Sequence, residues 1–176
     1  MYKNFKDIPQ FPHAPYRVNM PFKFMQSFLD DNNAEINPEY QRGYVWTQEQ
    51  KERYLEYLVM GGKSGRDIYF NCPNWMGYKR GDTKWHETLE LVDGKQRVSS
   101  VLEFLENKVK VFGKYINEYE DKVIFLRSLN ADLIFHVNSL QTPKEVIEWY
   151  LGMNNGGTIH TEDDLNVARK VLEKYK

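Results

Sequence analysis

Asp93, Gly94, Lys95, Gln96 and Arg97 put a carboxylate, an adaptable backbone position, two cations and an amide side by side. Before them, Leu89, Leu91 and Val92 read as the end of a buried strand. After them, Val98, Val101, Leu102 and Leu105 recur at helical spacing, so the polar cluster falls at the mouth of a helix. Helix N-termini carry unpaired N–H groups and a partial positive charge, which together favour an anion such as phosphate. Gly94 allows backbone to approach a ligand closely, Asp93 can cap the helix or hold a metal-bound water, and Gln96 and Arg97 bring donors in the first turn. On local sequence alone an equally good reading is a plain junction, with Asp93 as cap and Arg97 paired to a surface carboxylate.

Two other clusters carry similar chemistry. Gln41 and Arg42 lie in an aromatic stretch with Tyr40, Tyr44 and Trp46. A guanidinium there can grip phosphate through two parallel hydrogen bonds, or simply face solvent. The aromatic residues suit packing at the core or rim, and one of them could stack on a nucleobase. Asn154, Asn155, Gly156, Gly157 and Thr158 can end a helix, or form a concave set of N–H donors for an anion.

Two further signals fail. Gly61-Gly62-Lys63-Ser64 is like the end of a phosphate loop, but that loop needs a glycine where Tyr57 stands, so a helix end and polar loop is the better reading. His13, His86, His136 and His160 lack the close spacing of a metal motif.

The stretch 93–97 resembles the Asp-Gly-Gln-Gln-Arg signature of the DUF262 family, the N-terminal domain of GmrSD-type, modification-dependent restriction systems in the ParB/sulfiredoxin-like superfamily. Lys95 stands where glutamine is usual. Residues 36–46 resemble the family's proline-tyrosine-glutamine-arginine motif, and 153–158 its Asn-x-Gly-Gly motif; three motifs in the family's order make the match specific. The resemblance implies nucleotide binding and hydrolysis, with Asp93, Gln96 and Arg97 as catalytic residues. Gln41, Arg42, Gly94, Lys95, Asn155, Gly156 and Gly157 would bind the nucleotide. Arg97 and Lys95 would face phosphate oxygens, while Asp93 positions metal or water. The cofactor implied is a nucleoside triphosphate, with Mg2+ as its accompanying ion; no residue set is assigned as a dedicated metal site.

These clusters need elements to position them. Residues 1–15, with three prolines, read as an arm without regular structure, and 16–176 as the DUF262/ParB-like domain. A short edge strand at 16–20 and a helix opening at Pro21 come first, with Phe22, Met25, Phe28 and Leu29 on its apolar face. Pro38 keeps 35–46 extended. Thr47 and Gln50 form a capping box for a helix that buries Tyr54, Leu55, Leu58 and Val59 and stops at Gly61. Strands are expected at 67–71, 84–92, 108–112 and 133–137, with a hairpin tip at 76–82. Thr142, Pro143 and Glu145 open the next helix, whose apolar face is Val146, Ile147, Tyr150 and Leu151. Residues 152–158 are too rich in Gly and Asn to continue it, and Thr161 caps the last helix. The fold expected is one α+β domain with a small mixed sheet and packed helices, ParB/sulfiredoxin-like by resemblance.

Composition sets the outer bounds. With 24 basic and 25 acidic residues the net charge is −1, which gives no support for a strongly basic DNA-binding surface. Cys72, the single cysteine, excludes an internal disulfide and fits a reducing compartment. No window approaches the roughly 20 apolar residues of a membrane span, so a cytoplasmic protein with no membrane partner is expected. The leading expectation is a nucleotide-binding domain, a slow or partner-stimulated nucleoside triphosphatase that regulates or senses in defence against foreign, modified DNA. Relatives commonly carry an HNH-type nuclease domain, and no such unit is visible here, so a separate nuclease chain is expected as partner and DNA as a further one. The alternative is a non-catalytic module that binds DNA or protein, an inhibitor or decoy of a restriction system. A third reading is a ParB-like nuclease acting through the same pocket.

Overall fold

The computed structural model describes residues 4, 8, 12, 14–41, 43–75, 77, 87–126, 130–154 and 162–175. Its centre is a four-stranded mixed sheet of β1 (Tyr16–Pro21), β2 (Asp67–Asn71), β3 (Glu90–Asp93) and β4 (Asp132–Asn138), in the order β1-β4-β2-β3. β4 pairs antiparallel with β1 and parallel with β2, and β2 pairs antiparallel with β3. Helices α1 (Phe22–Asp31), α2 (Gln48–Val59), α3 (Lys95–Leu105), α4 (Lys122–Phe125), α5 (Pro143–Asn154) and α6 (Glu162–Glu173) complete the α+β class expected from sequence.

Strand alternation divides the apolar side chains between two clusters. Ile68 and Phe70 of β2, Leu91 of β3 and Leu133, Phe135 and Val137 of β4 join Phe22, Met25, Leu55, Leu58, Val101 and Phe104 from α1, α2 and α3 in the main core. Tyr69 and Val92, the alternate residues, instead meet Tyr40 and the residues Val146, Ile147, Trp149, Tyr150, Ala168 and Val171 of α5 and α6. Helices therefore pack on both faces of the central strands.

Local capping follows the sequence signals. Thr47 accepts from the Gln50 N–H and Gln50 returns the bond to the Thr47 N–H, which sets the start of α2. Thr142 and Glu145 do the same at α5. The other end of α2 is fixed by Arg66, which sequence reading passed over. It is only 4% exposed and donates to the carbonyls of Leu58, Gly62, Asn130 and Asp132, and it pairs with the Asp132 carboxylate at 2.5 Å. One guanidinium thus ties the end of α2 to the start of β4.

Several elements differ from expectation. The strand expected over 84–92 begins only at Glu90; the Leu89 N–H donates to Asn32 and its carbonyl accepts from Glu35, so the chain there pairs with the loop after α1. Residues 84–86 and most of the hairpin tip at 76–82 lie outside the described residues. The strand expected over 108–112 does not form. Val109 and Val111 are buried as alternation requires, but Val111 pairs only with Lys114 across a turn at Phe112 and Gly113, both with positive φ. Pro21 closes β1 and caps α1 rather than opening it from within. Helix α5 also runs through Gly152 and Met153 to Asn154, whose amide donates to the Tyr150 carbonyl at 2.7 Å and secures the last turn.

Candidate functional site

Asp93 ends β3 and Lys95 begins α3, so the turn between them rests on one residue. Gly94 is the N-cap of α3, with φ 110°, and no side chain caps the helix. Asp93 is therefore not the cap that sequence reading allowed. A Cβ on Gly94 would stand 2.5 Å from Ile68 Cδ1 and 3.2 Å from its Cγ2, so glycine is favoured here by the close approach of α3 to β2 as well as by its φ.

The helix mouth opens into a cavity of about 320 Å³ lined by Gln41, Trp46, Tyr54, Tyr57, Ser64, Gly65, Tyr150 and the whole run from Asp93 to Arg97. Six residues singled out from sequence, Gln41, Asp93, Gly94, Lys95, Gln96 and Arg97, are brought together here. Arg42, Asn155, Gly156 and Gly157 lie outside the described residues.

Each side chain at the mouth has a distinct job. Asp93 Oδ2 accepts from Arg97 Nη2 at 2.6 Å, and Arg97 Nη1 donates to the Asp67 carbonyl at 2.8 Å. The guanidinium thus ties α3 to both β3 and β2. Gln96 Oε1 accepts the Val45 and Trp46 N–H groups at 3.0 and 3.2 Å, and its Nε2 donates to the Gly43 carbonyl at 3.0 Å. Gln41 Nε2 reaches back to the Leu91 and Val92 carbonyls. The two glutamines therefore tie Gln41 and residues 43–46 across the mouth, and their amide nitrogens and the Gln96 oxygen are directed to backbone.

Lys95 is different. It is the first residue of α3, 8% exposed, with Nζ 4.8 Å above the Tyr44 ring. Burial pushes its ammonium below the usual lysine pKa, and the Glu35 carboxylate offsets part of that shift.

The remaining walls are aromatic. Trp46 meets Tyr54 edge to face with centroids 5.1 Å apart, and Tyr54 donates to the Gly65 carbonyl at 2.8 Å. Tyr54 is desolvated enough that its phenol pKa rises well above the ordinary value. Sequence gives Trp46 as a packing residue with stacking potential, Tyr54 and Tyr150 as parts of apolar helix faces and Ser64 as part of a polar loop, and it assigns Tyr57 and Gly65 no role in a site. A tyrosine at both 54 and 57, on adjacent positions of one helix surface, was the available hint. Tyr40, by contrast, is buried in the second cluster against Tyr150, and burial with the Glu90 carboxylate holds its phenol protonated.

Among the described residues, no group of three or more His, Cys, Asp or Glu side chains is arranged to hold a metal ion. No helix among them is long and apolar enough to cross a membrane.

Fold and site together define an α+β domain with a cavity at a strand-to-helix junction led by a left-handed glycine. Residues 25–133, more than half of the chain, match the model of the GmrSD restriction endonuclease N-terminal domain, and the chain belongs to that family. Its setting is restriction-system defence. The match takes in every described cavity residue except Tyr150. No curated protein and no solved structure matches the chain.

Proposed function

We propose that this domain binds a nucleoside triphosphate in the cavity at the mouth of α3, and that binding governs a DNA-cleaving partner chain in defence against foreign, modified DNA. The observation that carries the reading is the position of Lys95. A buried ammonium beside the positively polarised end of a helix is electrostatically unfavourable, and an anion at the mouth would reverse the sign of that interaction. Lys95 and the first-turn N–H groups are suited to phosphate oxygens, and Trp46, Tyr54 and Tyr150 offer apolar surface for a base.

Mg2+ fits this arrangement in its usual manner, through one protein carboxylate with the phosphates and waters supplying the rest. Asp93 is the carboxylate among the described lining residues. The ion would neutralise phosphate charge there.

A second reading, binding without turnover, is favoured by the closure of Asp93 on Arg97, since that ion pair takes up one of the two carboxylate oxygens that could position a water. Calorimetric titration with nucleoside triphosphates and Mg2+, followed by phosphate-release assays, separates the two. Binding with release supports the triphosphatase, binding without release supports a nucleotide site without turnover, and absence of binding overturns the nucleotide reading in favour of a non-catalytic module that contacts DNA or protein.

A further inference from the structure

The loop at 61–65 ends as a phosphate loop would, yet it lacks that loop's first glycine, and Ser64 and Gly65 still line the cavity. Its construction is specific. Gly61 and Gly65 have φ of 93° and 70°, and a Cβ on Gly62 would stand 2.4 Å from the Tyr57 ring. The Tyr57 ring therefore lies flat against the Gly62 backbone, a place no larger residue would leave open. Its hydroxyl is 2.7 Å from Ser64 Oγ and accepts the Ser64 N–H at 3.2 Å. Tyr54, donating to Gly65, and Arg66, donating to Gly62, brace the loop on either side.

What this pair offers a ligand follows from counting donors and acceptors. A phenol oxygen has one hydrogen and two lone pairs, as does a serine hydroxyl. The Ser64 N–H occupies one lone pair of Tyr57, and one hydrogen is used between the two hydroxyls. Whichever group gives that hydrogen, the pair keeps one O–H donor and unused acceptor capacity. Contact with the Ser64 hydroxyl, and after it the Ser64 N–H, holds the Tyr57 phenol below its ordinary pKa. Phosphate offers acceptors only, and the helix mouth with Lys95 already supplies donors. A mixed donor and acceptor pair suits a neutral partner that also donates and accepts.

We propose that the Tyr57 and Ser64 hydroxyls recognise the ribose diol of the bound nucleotide, making them the specificity-determining residues for ribonucleotides over deoxyribonucleotides. This inference rests on the nucleotide reading of the cavity. In a nucleotide the sugar lies between phosphate and base, and the flat base is provided for by the aromatic walls. A hydroxyl pair on the same cavity is left for the sugar.

The test titrates the protein with ATP, 2′-deoxyATP, 2′,3′-dideoxyATP, GTP and inorganic tripolyphosphate, in the parent, Tyr57→Phe and Ser64→Ala. Tyr57→Phe keeps the ring on Gly62, and circular dichroism verifies folding of each variant. The parent is expected to bind ATP about three- to tenfold more tightly than 2′-deoxyATP, as one lost neutral hydrogen bond requires, and dideoxyATP more weakly still. Both variants should lose that preference while holding tripolyphosphate as the parent does. Equal binding of ATP and dideoxyATP by the parent overturns the ribose assignment and leaves the phosphate site standing. A Tyr57→Phe effect that follows the base, or that weakens tripolyphosphate equally, also overturns it. If the parent binds neither nucleotide nor tripolyphosphate, this inference and the nucleotide reading fall together.

Discussion

Arg97 stands one helical turn after Asp93 and closes on it, Nη2 to Oδ2 at 2.6 Å, while its other terminal nitrogen holds the Asp67 carbonyl at 2.8 Å. The polar residues at the start of α3 are thus first of all a joint between helix and sheet. Arg97→Ala is expected to cost about 1.5–3 kcal/mol of stability, the usual worth of hydrogen bonds to a charged group. Urea unfolding measures it. A loss near zero would show that the pair is decorative and that Arg97 is held for the ligand alone.

Gly94→Ala should be more damaging than any nearby exposed change. Alanine meets both a left-handed φ of 110° and a 2.5 Å contact with Ile68 Cδ1. Overpacking alone costs about 1–3 kcal/mol, and the backbone strain adds to it. The double variant Gly94→Ala with Ile68→Val should recover only the steric part, which unfolding curves of the two proteins will reveal.

Gln96 positions rather than reacts, because its amide holds three backbone groups of the 43–46 segment. Gln96→Leu should release the Val45 and Trp46 amides to hydrogen exchange. Gln96→Glu retains an acceptor for both and should protect them, while losing the donor to Gly43. Equal exchange in the two variants would contradict the assignment.

Breaking the Arg66 and Asp132 pair should be costly, about 3–5 kcal/mol, because one buried charge is left without its partner. Arg66→Met is the test, read by urea unfolding. Arg66→Lys should rescue little, since a point charge cannot reach the four carbonyls that the guanidinium serves.

Lys95 sets a pH dependence with a definite sign. Its folded pKa lies below 10.5, so between the two values the unfolded chain binds more protons. The Lys95 contribution to stability should therefore rise as pH climbs through that window, so the stability of the parent relative to Lys95→Gln should increase with pH, while the tyrosines and Cys72 titrate alike in both proteins. Ligand binding runs the other way: an anion favours the ammonium, so triphosphate affinity should fall over the same range. The Tyr57 phenol, also lowered, titrates in the same direction, so Lys95→Gln should reduce the fall without abolishing it.

Much of this was written locally. The capping box at Thr47 and Gln50, the alternation in β2 and β4 and the helical spacing after Gln96 each depend on neighbours a few residues away, so the chain displays them directly. Where partners were distant, reading failed. Residues 108–112 alternate like a strand but find no strand to pair with, and Leu89 pairs with the 32–35 loop instead. Gly152 suggested a helix end, yet α5 continues because Trp149 and Tyr150 are anchored in the second cluster.

The sequence by itself determined the family motifs, the strand-to-helix switch at Gly94 and the mixed α+β composition of elements, because periodicity and turn chemistry are short-range properties. Only the tertiary structure decided what the polar residues do. Gln41 and Gln96 became backbone ties, Arg97 a helix-to-sheet joint and Arg66 a buried staple, since a hydrogen-bonding side chain takes whichever partner the fold brings within about 3 Å. The aromatic wall was equally hidden, because Tyr54, Tyr57 and Tyr150 carry the same apolar signal whether they fill a core or line a cavity, and only the packing around them distinguishes the two.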